Sequence, residues 1–147
     1  MVNYIKNKKT SSCWVISGIY FLVFLFISIL LSVVISFLLL IISGFFPQAF
    51  IISVYKILGF IIPFVIIWLA IKLAASLINK KFVVKNVEKV IILATIYNIG
   101  VELLMRFVSI SEMNGVSVIH NYPLELAFSF LSIVLFYFFS RRYLRGK

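Results

Sequence analysis

Aspartate is missing from this chain, and glutamate occurs only at Glu88, Glu102, Glu112 and Glu125. An intramembrane protease working through paired aspartates is therefore excluded. One cysteine, Cys13, and one histidine, His120, complete the short list of reactive side chains. A disulfide within the chain is impossible, and a zinc site built from Cys and His lacks ligands. No phosphate-binding glycine loop, no H-E-x-x-H, no nucleophile elbow and no C-x-x-C is present. Charge is scarce as well. Charged residues make up 12% of the 147, against 64% hydrophobic, too few to cover the surface of a soluble domain.

What the chain has instead is long apolar runs. About 18 or more apolar residues suffice for a helix to cross roughly 30 Å of hydrocarbon. Helices are the natural solution there, because no water is present to satisfy backbone groups. A β-barrel would need alternating apolar and polar strands, and the run 14–43 shows no alternation. Four spans are predicted, at about 14–43, 49–78, 90–110 and 124–140. They form one all-α membrane domain, an antiparallel up-down bundle. The first run follows Lys6, Lys8 and Lys9, as in a signal peptide, but it is too long for one and no cleavage site follows. Gly44 and Pro47 separate the first two spans, and Pro63 predicts a kink in the second.

The formal charge is +10. In a soluble protein such a charge suggests nucleic acid; here its distribution speaks for membrane orientation, and no nucleic-acid partner is expected. The N-terminal segment, the middle loop (Lys80, Lys81, Lys85, Lys89) and the tail (Arg141, Arg142, Arg145) are basic, whereas the loops around Pro47 and Gly115 hold no Lys or Arg. By the positive-inside rule both termini lie in the cytoplasm of a cell held by its inner or plasma membrane. The basic residues of the middle loop and tail are also candidates for contact with anionic lipid, worth about 1 kcal/mol each.

The third span carries Thr95, Asn98, Glu102, Arg106 and Ser109 at intervals of three and four, on one helix face. On the fourth, Glu125, Ser129 and Ser132 share a face. At about 1.5 Å per residue, Arg106 and Glu125 come out at similar depth. A charge at the centre of a bilayer costs about 2.5–3.5 kcal/mol on insertion scales, so these groups should face one another. Asn98, Glu102, Arg106 and Glu125 thus form a candidate intramembrane polar network, either a structural lock or a functional site. The alternative for Arg106 is snorkelling to the outer interface.

Lys72 is expected to snorkel to the inner headgroups. Lys56 and Glu112 lie at similar outer levels and are candidates for an exposed pair. The repeat Ser28, Ser32, Ser36 reads as a small-residue packing seam, with a hydrated path as its alternative, and Ala70 and Ala74 offer a second seam. His120 has no partners for catalysis. Cys13 beside Trp14 is read as an unmodified interfacial thiol, with acylation as the alternative.

The leading expectation is a non-enzymatic membrane scaffold or subunit, without cofactor or metal. Its partners would be the bilayer and a second copy or a membrane subunit. The alternative is an oligomeric transporter or channel subunit that uses the Glu102–Arg106 stripe. A lipid-acting enzyme comes third.

Overall fold

The computed structural model describes the backbone of residues 11–45, 48–112 and 122–144, and the side chains of 11–45, 58, 59, 61–105 and 126–144. Its four helices are α1 (Cys13–Ser43), α2 (Gln48–Lys81), α3 (Val87–Glu112) and α4 (Tyr122–Leu144). α1 begins one residue before its predicted span, and the other three helices run beyond theirs at both ends. Helix-ending signals explain the difference. The backbone N–H of Phe82 closes a last bond on Ile78 at 2.8 Å, and Asn86 Oδ1 accepts from the Lys89 N–H at 3.1 Å, starting α3. Lys80 and Lys81 end α2, and Arg141 and Arg142 end α4, where cations complement the helix dipole. Much of the polar loop and tail is thus helical. At α1, Ser12 accepts from the Val15 N–H, and Gly44 closes the other end on Ile41 and Ile42.

Among the described residues, three stretches are long and apolar enough to cross a membrane: Cys13–Ser43, Ile61–Lys81 and Leu126–Leu144. At about 1.5 Å per residue the 26 residues of α3 also reach roughly 39 Å. Its apolar run, however, is interrupted by charge at Glu102.

α1 and α4 each pack against both α2 and α3. The two pairs α1/α4 and α2/α3 therefore face each other across the centre of a four-helix ring. The core lies at one end of this ring. It joins Ile16, Tyr20 and Phe24 of α1 to Ala70, Ala74 and Ile78 of α2, Val90, Ile91 and Ala94 of α3, and Phe136 and Leu144 of α4. The start of α1, the end of α2, the start of α3 and the end of α4 thus meet, and the helices alternate in direction. Ala70, Ala74 and Ala94 are fully buried. Such small side chains let helices approach closely, as the Ala70/Ala74 seam predicts.

Aromatic rings close the centre at this end. Tyr20 and Phe136 have ring centroids 5.9 Å apart, and Phe24 meets Phe136 edge-on at 4.8 Å. The Tyr20 hydroxyl pairs with Ser140 Oγ at 2.7 Å, both residues fully buried. Farther along the chain Trp68 Nε1 donates to the Tyr143 hydroxyl at 2.7 Å, and Asn79 Nδ2 to the Tyr143 carbonyl at 3.0 Å. These two bonds tie α2 to the end of α4.

The outer surface is more apolar than parts of the interior. Leu22, Phe26, Ile29, Val33, Phe37 and Leu40 form one face of α1, each more than 60% exposed. The opposite face carries Tyr20, Phe24, Ser28 and Ser32. Apolar-out with polar-in is compatible with insertion into a membrane.

Candidate functional site

Four residues apart along α1 come Tyr20, Phe24, Ser28 and Ser32. Along α4, run backwards, come Ser140, Phe136, Ser132 and Ser129. Both helices therefore switch from aromatic rings to serines at the same level. Side chains at this spacing share a face, so the ring centre is filled at one end and left open one turn later. There the structure has a cavity of about 310 Å³. Its wall comes from all four helices: Ser28 and Ser32 of α1, Pro63 and Ile67 of α2, Asn98 and Glu102 of α3, and Ser132 of α4. Phe24 forms its floor on the aromatic side.

A second cavity of about 280 Å³ shares Pro63, Ile67, Glu102 and Ser132 with the first, and adds Gly59, Phe64, Phe128 and Ser129. Glu102 thus stands on the common wall of both. Ser129 Oγ donates to Glu102 Oε2 at 3.1 Å, which fixes the register of α3 against α4. Asn98, one turn earlier on α3, is 8% exposed. The Ser28 hydroxyl is buried and has no hydrogen-bond partner among the described residues. Its oxygen is sealed from a water-sized probe, and as a helical serine it can turn to the carbonyl four residues back, that of Phe24.

Of the polar stripe on α3, Asn98 and Glu102 are brought together at the cavity. Thr95 is satisfied within its own helix, donating to the Ile91 carbonyl at 2.8 Å. Arg106 lies in α3 and Glu125 in α4, but their side chains are outside the described residues, as are those of Ser109, Lys56 and Glu112; His120 lies outside them altogether. Ser28 and Ser32 line the cavity instead of sealing a tight seam, so the structure departs from the packing expectation. The signal was the matching serine repeat on α4, which shows its meaning only once the two helices are set opposite each other.

The basic residues gather at the aromatic end. Lys80, Lys81, Lys85, Lys89, Arg141 and Arg142 are exposed there, while Arg145 lies beyond the described residues. Arg141 Nη2 is 3.6 Å from Glu88 Oε1, with both side chains about half exposed, a pair worth little, about 0–1 kcal/mol. Lys72 is exposed. Its ammonium lies 5.3 Å from the centre of the Trp68 ring, a cation–π contact one turn back along α2.

No protein-family model, curated protein or solved structure matches the chain. Function must be argued from the cavity itself. A carboxylate, an amide and three hydroxyls in a largely apolar wall can hold a small polar or charged solute away from lipid.

Proposed function

We infer that the chain is a four-span protein of the cell membrane, with both termini cytoplasmic, acting as a subunit of an oligomeric carrier or channel. The observation that carries this reading is the cavity at Glu102, walled by all four helices. α3 serves as the fourth span in spite of its charge, because Glu102 turns to the cavity while Ile92, Ile96 and Leu103 form an exposed apolar face. Charges inside membranes characteristically face bundle interiors or water-filled spaces and mark solute paths. The basic end supports the orientation, since Lys and Arg concentrate on the cytoplasmic side. A second copy is required, because a single four-helix ring closed by Tyr20, Phe24 and Phe136 offers no continuous passage. The protein is read as non-enzymatic.

A scaffold role is the second reading. It rests on the exposed apolar face of α1 from Leu22 to Leu40, which suits a partner helix as well as lipid. A lipid-acting enzyme gains nothing from the geometry.

Two labelling experiments in a Cys13→Ser background test this. For orientation, Asn86→Cys should be protected from an impermeant thiol reagent in intact cells, and Gly115→Cys should react; the opposite pattern inverts the topology. For the cavity, Ser28→Cys and Ser132→Cys should react with a small hydrophilic thiol reagent in membranes, while Ile29→Cys, on the outer face, should not. Unreactive cysteines at both cavity positions would mean a dry packing network and remove the carrier reading.

A further inference from the structure

We propose that the Glu102 cavity binds an organic ammonium ion with an apolar body. This deepens the carrier reading and rests on it. Among the described residues lining the two cavities, Glu102 is the one charged group, and it is an anion. The neutral polar side chains beside it are Ser28, Ser32, Ser129, Ser132 and Asn98, each with an oxygen that can accept a hydrogen bond, while Ser129 and Ser132 spend their own protons on Glu102 and on the Ser129 carbonyl. Three N–H donors of a primary ammonium match such a set: the carboxylate takes one in a charge-assisted bond, and the serine and asparagine oxygens take the others.

The rest of the wall selects an organic ion over an inorganic one. Phe24, Leu25, Ile66 and Ile67 provide no ligands for a metal ion, and hard cations take six or more oxygens. An alkali ion would have to bring most of its water, and about 310 Å³ holds roughly ten waters at ~30 Å³ each. An apolar body fills the same space against those side chains without that cost. Phe24 adds an aromatic ring to the apolar lining. The volume stands at the lower end of the ~300–1,000 Å³ of small-molecule sites. A longer body has room in the adjoining cavity of about 280 Å³, whose wall includes the stacked rings of Phe64 and Phe128.

The test is calorimetric titration of the full-length protein in detergent with phenethylammonium. Its neutral isostere phenethyl alcohol, sodium chloride and the anion phenylacetate serve as comparisons. The ammonium should bind in a 1:1 ratio, and the neutral and anionic probes at least tenfold more weakly. Glu102→Gln, which keeps the shape and the bond from Ser129, should weaken the ammonium at least tenfold. Ser28→Phe, which keeps the carboxylate and fills the cavity, should abolish binding. Ser132→Ala should weaken it a few-fold while the protein stays folded. Equal binding of the alcohol, or ammonium binding unchanged in Glu102→Gln and Ser28→Phe, overturns the proposal. Tighter binding of phenylacetate also overturns it. If Ser28→Cys and Ser132→Cys are reactive but no ammonium binds, the ligand class is wrong while the hydrated cavity stands. If the cysteines are unreactive, the carrier reading itself has failed.

Discussion

The Tyr20–Ser140 hydrogen bond offers the sharpest test of how the ring is held together. The two oxygens are 2.7 Å apart, both residues are fully buried, and the bond joins helices that face each other across the centre. Its two ends are not equivalent. In Tyr20→Phe the serine keeps an alternative, because a helical serine can turn its hydroxyl to the carbonyl four residues back, here that of Phe136. In Ser140→Ala the phenol stays among apolar groups such as Phe136 with its hydrogen-bond partner gone. An unpaired buried hydroxyl costs about 1–3 kcal/mol, whereas pairwise bonds within membrane proteins average only ~0.6 kcal/mol in double-mutant cycles. Tyr20→Phe should therefore cost about 0.5 kcal/mol and Ser140→Ala about 1–2 kcal/mol. The double variant should lie close to Tyr20→Phe alone, since no polar group is then left to satisfy. Equilibrium unfolding in mixed micelles, run as a full cycle, measures all three. If Ser140→Ala proves harmless, or the double variant is the sum of the singles, the bond does not tie α1 to α4 and the account of the closed end is wrong.

Two other substitutions probe the charges. Arg106→Leu should destabilise strongly, by about 3–5 kcal/mol if it strands buried carboxylates, and adding Glu102→Gln and Glu125→Gln should restore much of the loss; no effect of Arg106→Leu on thermal unfolding in detergent would mean that the arginine snorkels and the network is absent. Lys72→Leu removes a cation–π contact at an exposed position, worth about 0.5–1 kcal/mol, and should shift unfolding by no more than that; a larger loss would give Lys72 a buried role that its exposure contradicts.

The helices were legible because their signals are local. Apolar runs, Gly44 after α1 and lysines or arginines in last turns each belong to one stretch of chain. The helices reach past their apolar runs: Asn79, Lys80 and Arg141 resemble loop residues by polarity alone, whereas the dipole favours cations at a helix end. The stripe on α3 was legible for the same local reason, as spacing of three and four identifies a face. What the face meets was not. Thr95 and Asn98 belong to the same stripe, yet one is satisfied by its own backbone and the other lines the cavity.

The cavity depends on a coincidence between helices that one sequence does not display. Serines on a single helix permit either close packing or a void, and their spacing is the same in both cases. The choice is made by what stands opposite. Ala70, Ala74 and Ala94 lie around the aromatic rings of Tyr20, Phe24 and Phe136, where large side chains fill what small ones leave. One turn on, Ser28 and Ser32 face Ser132, and no ring replaces the lost volume. Small opposite small leaves space, and placing Glu102 at the edge of that space gives its charge something other than lipid to face. A bundle under pressure only to be stable would fill this layer with leucine or phenylalanine, as it does at the other end. Keeping hydroxyls and a carboxylate there costs packing and desolvation, so the layer is the part of the fold where stability alone does not account for the sequence.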